Sequence, residues 1–433
     1  LFIISFSILI TEKPFLPAIP VITYLLMSED SETIIADSIR EVQPDSAVIR
    51  ALKETTLNGK FKLVAAGKAA WQMAKAASNY LGERLEQGIV ITKYGHVRGE
   101  LPRIRCCEAG HPVPDEGSFD AARKALALTE NLTKDDTVLF LLSGGGSALF
   151  ELPLIPAEEL QDVTRQLLAC GADIVEINTL RKRLSAVKGG RFAQHCAPAK
   201  VFSIILSDIL GDPPDMIASG PTCPDSSTCA DAMEIVRRYD LSLREETKQL
   251  LMVETPKALA NARWMITGSV RELCDAAARS CRKLGYEPFF LTDRLCCQAR
   301  EAGSVMASIL RTHAGDGKKL AFLAGGETVV RLTGSGKGGR NQELALAAAE
   351  GISGLSNAAL FSVGSDGTDG PTDAAGGFVD GATRQRLLEE GIHIDQVLLN
   401  NDAYHALQCT GGLIFTGPTG TNVNDVTVGL VEG

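Results

Sequence analysis

The stretch TVLFLLSGGGSALF, residues 137–150, indicates the fold class of this chain. An apolar run without polar alternation is typical of a strand that is buried on both faces of a sheet. The three glycines that follow predict a tight turn into a helix. The same succession of apolar strand and polar turn recurs in KLVAAGKAA (residues 62–70) and VFSIILSDILGD (residues 201–212). Such strands, alternating with helices, predict an α/β protein with a parallel sheet that helices cover on both faces.

The length of 433 residues suits two domains. A second series of strands and helices starts with RWMITGS, residues 263–269, after the polar segment ETPKALANAR, residues 254–263. We therefore predict an N-terminal domain over residues 27–258 and a C-terminal domain over residues 259–433. Gly, Ser, Thr and Asp follow several predicted strands, at the edge where open α/β sheets bind ligands.

The beginning of the chain needs its own interpretation. LFIISFSILI, residues 1–10, starts with Leu1, and the first methionine is Met27. About ten apolar residues are too few to span a bilayer, and neither a basic segment nor a small-residue cleavage site accompanies them. We expect residues 1–26 to be a non-native or disordered leader before a natural start at Met27, with a signal peptide as the alternative.

Composition and charge disfavour several classes of partner. The formal net charge of −10 argues against binding to nucleic acid or to an anionic membrane. The eleven cysteines contain no C-x-x-C motif, and the adjacent pairs Cys106–Cys107 and Cys296–Cys297 suit neither disulfides nor zinc. We interpret the cysteines as reduced core thiols of a cytoplasmic protein. An anionic small molecule stays compatible with the net charge, because a cleft can concentrate Lys and Arg.

Three segments carry groups that suit an anion. Lys68 lies between a strand and a helix start, where a cation is unfavourable unless an anion lies beside it. The turn of Gly144, Gly145 and Gly146, which Ser143 and Ser147 flank, offers amides and hydroxyls to an anion. INTLRKRLSAVKGGR, residues 177–191, is either a solvated basic face or a cover over an anionic substrate, and it contributes the candidates Arg181 and Lys188. An exposed helix-start lysine and a ligand-free turn are the plainer interpretations of the first two segments.

Two acidic turns follow predicted strands. Asp208 lies just beyond VFSIIL, a usual position for a carboxylate that holds Mg²⁺ or a substrate hydroxyl. Asp366 lies in GSDGTDGPTDAAGG, residues 364–377, which lacks the ligand spacing of an EF-hand. Aspartate is also a common turn former. Asp208 and Asp366 are the candidate metal ligands, and the six scattered histidines form no metal-binding motif.

The segment TGSGKGGRNQELALAAA, residues 333–349, has three interpretations. The first, a Walker A motif, fails because Arg331 stands where its first glycine should be and Gly338 where its Ser or Thr should be. The second is a phosphate-handling loop, in which Lys337 and Arg340 would accompany backbone amides at a helix start. Two mobile cations in that position suit a transferring phosphoryl group.

The third interpretation is a dinucleotide loop of the G-x-G-x-x-G type, with Gly334, Gly336 and Gly339 as its glycines. A possible strand precedes it and a helix follows. Asp366, which follows the next predicted strand, comes 27 residues after Gly339, whereas the ribose-binding acid of such a site is expected after about 20 residues. A lone glycine pattern of this kind is weak evidence.

Together these segments resemble the glycerate 2-kinase family, two-domain proteins whose C-terminal module is called MOFRL. The matching segments run in order from about residue 27 to residue 430: AAGKAA, GHPVPDEGS, LLSGGGSAL, INTLRKRLSAVKGGR, LSDILGDPPDMIASGPT, GGETVVRLTGSGKGGRNQELAL, SVGSDGTDGPTDAAG and GPTGTNVNDVTVGLV. The resemblance implies an N-terminal α/β domain with a Rossmann-like parallel sheet, a smaller C-terminal α/β MOFRL domain, and an active site in the cleft between them.

The resemblance also implies a reaction, the ATP- and Mg²⁺-dependent phosphorylation of D-glycerate at its C2 hydroxyl to 2-phosphoglycerate. The two catalytic basic residues of the family fall on Lys68 and Arg340. Phosphoryl transfer needs alignment and charge neutralisation, so we expect these cations, from opposite domains, to stabilise the transferring group. Contacts to phosphate or substrate are expected from Ser143, Gly144, Gly145, Gly146, Ser147, Arg181, Lys188, Lys337, Gly338, Gly339 and Asn422.

Two other functions stay open at this point. An NAD(P)H-dependent hydroxypyruvate reductase, a name also attached to relatives of the family, would bind a pyrophosphate at the glycine loop. His111 is its best placed candidate base, although it resembles a turn residue. A non-catalytic nucleotide or sugar-acid sensor would be expected to lack Lys68 or Arg340. In each case the partners are small molecules, and the sequence does not decide between a monomer and a homodimer.

Overall fold

The computed structural model describes residues 19–433, apart from residues 56 and 58. It begins with helix α1, Ile19–Glu41. Of the predicted leader, residues 1–18 lie outside the described residues, and residues 19–26 belong to this helix. Met27, Ile34 and Ile39 of α1 are buried in a cluster with Leu273 and Val426. Among the helices that the structure describes, none is both long and apolar enough to cross a membrane.

The first half of the chain forms a six-stranded parallel sheet in the order β3-β2-β1-β4-β5-β6. Its strands are β1 (Phe61–Ala66), β2 (Leu85–Lys93), β3 (Ile104–Ala109), β4 (Thr137–Leu142), β5 (Lys200–Leu206) and β6 (Ala262–Gly268). Its helices are α2 (Pro44–Glu54), α3 (Ala70–Leu81), α4 (Glu116–Leu128), α5 (Gly146–Leu149), α6 (Ala157–Ala169), α7 (Ile174–Arg183), α8 (Arg191–His195), α9 (Cys229–Arg238) and α10 (Glu245–Leu251), with short 3₁₀ turns at Gly82–Arg84 and Ile217–Ser219.

Burial along β4 explains this architecture. All six residues of the strand are buried. Leu139 and Leu141 belong to the apolar cluster that contains α2 and α3, whereas Phe140 belongs to the cluster on the other face, with α4 and α8. The predicted parallel sheet, covered by helices on both faces, is therefore confirmed. The strand order also places a topological switch point between β1 and β4, where doubly wound sheets open a crevice.

The second half forms a mixed six-stranded sheet in the order β11-β10-β9-β12-β8-β7. Its strands are β7 (Glu287–Leu295), β8 (Leu320–Gly326), β9 (Ala358–Gly364), β10 (Gly376–Asp380), β11 (Leu413–Ile414) and β12 (Asp425–Val431). Its helices are α11 (Val270–Lys283), α12 (Ala299–His313), α13 (Arg340–Gly351), α14 (Thr383–Glu389), α15 (Ile394–Leu399) and α16 (Ala403–Thr410). The central strand β12 runs antiparallel to both β8 and β9, so its first residue lies beside the ends of those two strands.

The structure differs from the predicted division at residue 258 in two elements. Strand β6 pairs in parallel with β5 and belongs to the first sheet. Residues 27–41 of helix α1, which the prediction assigns to the N-terminal domain, pack on the second sheet. Local apolar pattern does not reveal the sheet to which a strand or helix belongs, because that depends on contacts with distant segments. The polar segment before β6 is a connection within one unit.

The predicted core placement of the cysteines holds for only some of them. Cys196, Cys223, Cys274 and Cys281 are buried, whereas Cys170, Cys296, Cys297 and Cys409 are exposed. Burial raises the pKa of each of the four buried thiols to about 12, which makes them poor nucleophiles at neutral pH.

Candidate active site

The carboxyl ends of the strands of the first sheet face the second sheet near the start of β12. The Asn424 side-chain amide, just before β12, donates to the backbone carbonyl of Asp208, just after β5, at 3.3 Å. A cavity of about 280 Å³ opens at this junction and is lined by residues of both halves of the chain. A second cavity, of about 770 Å³, adjoins it and is lined by residues of the second half alone. Asp366, which follows β9, lines both of them. The predicted cleft between the unit of the first sheet and the unit of the second sheet is therefore present as the smaller cavity, and the larger cavity adjoins it within the second unit.

Lys68 lies at the switch point of the first sheet, in the turn between β1 and α3. Its backbone N–H donates to the carbonyl of Gly144 at 2.9 Å, and the N–H of Ala69 donates to Ser143 Oγ at 3.1 Å. These bonds join the turn after β1 to the glycine turn after β4. The Lys68 side chain is exposed and makes no hydrogen bond or ion pair with any described residue. Its ammonium group is thus available to an anion in the smaller cavity.

Asp208 shares the smaller cavity with Lys68. A Cβ added at Gly144 would lie only 2.5 Å from Asp208 Oδ2, so the absence of a side chain at Gly144 makes room for this carboxylate. No described side chain pairs with the Asp208 carboxylate. Burial raises the pKa of Asp208, the negative charge of Glu327 raises it further, and the positive charge of Lys68 opposes the rise. A carboxylate in this environment is suited to accept a proton or to approach a cation.

The loop after β2 contributes two basic residues to this cavity that the sequence analysis missed, His96 and Arg98. His96 Nδ1 lies 3.2 Å from the carbonyl of Lys68. Arg98 is exposed, and its guanidinium has no partner among the described residues. The signal that would have found them is their position after the apolar strand GIVIT, because loops at the carboxyl ends of parallel strands converge on one site. The predicted contact residue Asn422 also lines this cavity.

Arg340 is the first residue of α13 and lines the larger cavity. Its Nε and Nη2 donate to the two carboxylate oxygens of Asp425, at 2.6 and 3.1 Å, and its Nη1 donates to Glu327 at 2.8 Å. Burial disfavours the charged form, but Asp425 and Glu327 outweigh it and raise the pKa of Arg340. A guanidinium has five N–H donors, so one N–H on each terminal nitrogen remains for a ligand.

The glycine loop before α13 uses its backbone amides within the protein. The N–H groups of Thr333 and Gly334 donate to Asn401 Oδ1, at 2.7 and 2.9 Å, and that of Lys337 donates to Asp402 Oδ1 at 2.9 Å. The amides of residues 335 and 336 donate to Asn400. A dinucleotide loop would present such amides to a pyrophosphate, so these bonds count against that interpretation. They also mean that the loop cannot cradle phosphate with residues 333–337, as a phosphate-handling nest would.

The glycines of this loop are explained by close packing. A side chain at Gly334 would meet Asn400, and one at Gly336 would meet Asn400 and Asp402. A side chain at Gly339 would meet the carboxylate of Asp369. The amides of Gly338 and Gly339 are not donors in the bonds to residues 400–402, and both residues line the larger cavity.

Asp369 occupies the start of helix α13. Its carboxylate accepts the backbone N–H groups of Asn341, at 3.1 Å, and Gln342, at 2.9 Å. Burial raises the pKa of Asp369 to about 6, although these hydrogen bonds favour the charged form. Because the Asp369 carboxylate caps helix α13, the amides of Asn341 and Gln342 are not available to an anion. The anion contact expected at this helix start therefore comes from the Arg340 side chain.

Several predicted contact residues line neither cavity: Gly145, Gly146, Ser147, Arg181, Lys188 and Lys337. Lys188 is fully buried, and its Nζ donates to the carbonyls of Ser147 and Phe150 at 2.8 and 3.1 Å. Arg181 Nη2 donates to the same Ser147 carbonyl at 3.1 Å. Both cations therefore bind the backbone of the segment that follows the glycine turn, and neither lines a cavity. The expectation that they contact an anion in the cleft is not met by this arrangement.

Lys337 does not line the larger cavity either. Its Nζ lies 3.9 Å from the centroid of the Tyr404 ring and 3.8 Å from Asp373 Oδ1.

The basic residues Lys182 and Arg183, which follow Arg181 in α7, have fully buried side chains that form ion pairs with Asp225. The basic run of that helix is thus part of a buried ionic network, which explains its composition without a ligand.

The two predicted metal ligands, Asp208 and Asp366, line the smaller cavity together. Asp366 Oδ1 accepts the N–H of Thr368 at 3.0 Å. Among the described residues, no group of three or more His, Cys, Asp or Glu side chains could hold a metal ion. Mg²⁺ in phosphoryl-transfer sites is commonly held by one or two carboxylates together with phosphate oxygens. Either carboxylate fits that mode of binding.

Comparison with known families matches most of the chain. Residues 30–252 match a family described as a domain of unknown function, DUF4147, and residues 320–425 match the MOFRL family. Lys68 and Asp208 lie within the first match, and Arg340 and Asp366 lie within the second.

Similar proteins extend over nearly the whole length. The chain is 50% identical over 404 residues to the D-glycerate 2-kinase of Thermotoga maritima, with 92% of this chain and 97% of that protein covered. It is 40% identical over 412 residues to a protein of Agrobacterium vitis whose provisional name is hydroxypyruvate reductase, with 91% and 92% covered. A crystal structure of glycerate kinase from Thermotoga maritima is similar with a TM-score of 0.90 at 49% identity, and the match covers 94% of this chain and 99% of that chain.

Proposed function

Because this chain belongs to the glycerate kinase family, an enzyme family, we propose that it transfers the γ-phosphoryl group of ATP to the C2 hydroxyl of D-glycerate. The products are 2-phosphoglycerate and ADP, and the reaction uses Mg²⁺. The observation that carries the proposal is the position of two cations. Lys68 of the first unit and Arg340 of the second lie in adjoining cavities that share Asp366. Such a pair suits a phosphoryl group that passes between two substrates.

In the proposed reaction the C2 oxygen of glycerate attacks the γ-phosphorus of ATP. The bond between that phosphorus and the β–γ bridging oxygen breaks, and ADP leaves. The hydroxyl proton passes to the Asp208 carboxylate, whose raised pKa suits a proton acceptor better than that of an ordinary aspartate. Lys68 and the two remaining N–H groups of Arg340 stabilise the negative charge of the transferring group.

Asp366 is the proposed protein ligand for Mg²⁺, since it borders both cavities. When bound, Mg²⁺ neutralises charge on the β- and γ-phosphate oxygens. The fork between Arg340 and Asp425 holds the guanidinium in place before the substrates arrive. Catalysis by this site would depend on alignment and electrostatics, which is the usual requirement of phosphoryl transfer.

The alternative of a hydroxypyruvate reductase has less support from the geometry. His111 lies against Gly145, where a Cβ would be 3.0 Å from its ring. Burial lowers the pKa of His111, and the nearby charges of Lys68, Lys93 and His96 lower it further. No hydrogen bond joins His111 to a carboxylate among the described residues, so the pairing expected of a hydride-transfer base is missing. The glycine loop that would bind the pyrophosphate has its amides bonded to residues 400–402.

A coupled assay tests the proposal directly. The protein is incubated with D-glycerate, ATP and Mg²⁺, and enolase is added without phosphoglycerate mutase. Enolase uses only the 2-phospho product, so phosphoenolpyruvate should form. Lys68→Ala and Arg340→Ala should each lower the rate on the order of 10³-fold, as expected for a cation that stabilises phosphoryl transfer.

Lys134→Ala and Arg282→Ala are the matched controls, because both side chains are exposed and have no described partner. They should retain full activity. A signal that appears only after mutase is added would mean the 3-phospho product and would contradict the proposed regiochemistry. Oxidation of NADH with hydroxypyruvate, together with no phosphoryl transfer, would identify a reductase instead.

A further inference from the structure

We propose that the two cavities divide the substrates, which rests on the proposed function and extends it. The larger cavity takes the nucleotide, with its base against Val329 and Leu332. The smaller cavity takes the hydroxy acid, with its carboxylate on Arg98. The proposal therefore assigns nucleotide recognition to the second unit and recognition of the acid to the first.

Size is the first argument. Clefts that bury most of a drug-sized ligand generally measure about 300–1,000 Å³. The cavity at Arg340 measures about 770 Å³ and falls within this range. The cavity at Lys68 measures about 280 Å³, which is below this range and suits the smaller substrate, a three-carbon acid. The nucleotide therefore enters from the side of Arg340, and only its terminal phosphate reaches the smaller compartment.

Exposed apolar side chains are the second argument. Leu332 is 80% exposed and Val329 is 53% exposed, and both line the larger cavity. A leucine side chain that is this exposed contributes little hydrophobic free energy to folding, whereas a planar base packed on it would remove apolar area from water. The junction at Asp366 fixes the orientation, because the phosphates must lie toward that residue and Arg340. The base then lies toward residues 329–332.

Unpaired positive charge is the third argument. Lys68 and Arg98 are the two cations of the smaller cavity without a partner among the described residues. If Lys68 contacts the transferring phosphoryl group, Arg98 remains for the carboxylate of the acid. A guanidinium can bind both oxygens of a carboxylate at once. Arg98 would then distinguish a hydroxy acid from an uncharged polyol of similar size.

A crossed set of variants tests this division. Leu332→Ser should raise the KM for ATP about tenfold, the loss of roughly 1.4 kcal/mol of apolar contact, and should leave the KM for D-glycerate and kcat within about twofold. Arg98→Gln should do the opposite and raise the KM for D-glycerate roughly 10- to 100-fold, as expected for a lost charged hydrogen bond. Leu332→Met should keep the wild-type KM for ATP, because it preserves the apolar surface.

Leu168→Ser and Arg282→Gln serve as controls, since both side chains are exposed and lie outside the two cavities. The division of substrates is overturned if Leu332→Ser raises the KM for D-glycerate and Arg98→Gln raises the KM for ATP. It is also overturned if Leu332→Ser leaves the KM for ATP unchanged. Both outcomes leave the kinase proposal intact. Calorimetric titration of ADP into wild-type protein and Leu332→Ser separates the two proposals. If the wild type lacks kinase activity but binds ADP more tightly than Leu332→Ser, the proposed reaction fails and the nucleotide site stands.

Discussion

The guanidinium of Arg340 and the carboxylate of Asp425 form a two-point fork, with Nε to Oδ2 at 2.6 Å and Nη2 to Oδ1 at 3.1 Å. Arg340 is the first residue of α13, and Asp425 is the first residue of the central strand β12. The fork therefore joins the start of a helix to the start of the central strand of the second sheet. It also determines where the remaining N–H groups of the guanidinium can point.

Asp425→Asn should weaken this orientation without removing the cation. Asparagine offers one acceptor oxygen where Arg340 now uses two, so the guanidinium gains freedom. A misplacement of about 1 Å can cost on the order of 10²-fold in rate, so kcat should fall by roughly 10- to 100-fold with little change in either KM. Steady-state kinetics measures this split. The control is Glu350→Gln, which loses a surface pairing with Arg384; a normal kcat in Asp425→Asn would contradict the positioning role.

Asp208 should impose an acidic limb on the pH profile. Its pKa is raised above the ordinary 3.8, and the proposed role needs the ionised form, so kcat/KM should fall as the pH drops through this raised pKa. Asp208→Asn should lose about 10²- to 10⁴-fold in kcat, the usual contribution of a positioned base. Its residual activity should lack the limb that Asp208 imposes. An unchanged limb in the variant would assign it to another group.

Gly144→Ala should displace the Asp208 carboxylate. The new Cβ would lie 2.5 Å from Oδ2, a distance that forces the side chain to move. We expect kcat to fall at least roughly tenfold, because proton transfer requires hydrogen-bond reach. Gly315→Ala is the matched control, since a Cβ there meets no atom within 4 Å. Thermal unfolding of both variants shows whether the loss is local; equal activity of the two variants would contradict the close packing.

Lys188→Met should destabilise the fold. Its ammonium pairs with Glu151 at 3.4 Å, and both side chains are almost fully buried. Removing one partner of such a pair typically costs about 3–5 kcal/mol, which urea unfolding at pH 7 would detect. The double variant Lys188→Met with Glu151→Leu should recover part of this loss. A single variant as stable as the wild type would mean that the buried pair contributes nothing.

The same residue predicts a pH dependence of stability. Burial lowers the pKa of Lys188 from 10.5 to about 8. Between these two values the unfolded chain holds a proton that the folded protein has released, so stability rises with pH. The wild type should therefore gain stability relative to Lys188→Met as the pH increases from about 8 toward 10.5. Unfolding curves over this interval measure the difference, and a constant difference would place the Lys188 pKa outside it.

The local sequence pattern was sufficient to predict part of the candidate site. Lys68, Ser143, Gly144 and Asp208 each follow a strand of the first sheet, and the structure gathers them in one cavity. Their convergence follows from the parallel arrangement, because all these strands end at the same edge. Arg98 also follows a strand of the first sheet and lines this cavity, although no short motif surrounds it.

The rest of the site depends on contacts that no local pattern encodes. Lys188 and Lys337 look like ligand contacts along the sequence, yet one is buried on backbone carbonyls and the other lies over Tyr404. The amides of the glycine loop appear free until residues 400–402 are placed beside them. Asp425 looks like part of a polar turn, and its pairing with Arg340 joins residues 85 positions apart.

By itself, the sequence determined the α/β class, the parallel first sheet and the positions of its strand-end residues, since hydrophobic periodicity and turn residues act over a few neighbours. Only the tertiary structure decided that β6 belongs to the first sheet, that a second cavity adjoins the cleft, and that the glycine loop is bonded internally. The physical reason is that burial and hydrogen-bond partners are properties of surfaces brought together by folding. Residues distant in the chain compete for the same amides and charges, and the folded arrangement alone settles which of them remain available to a substrate.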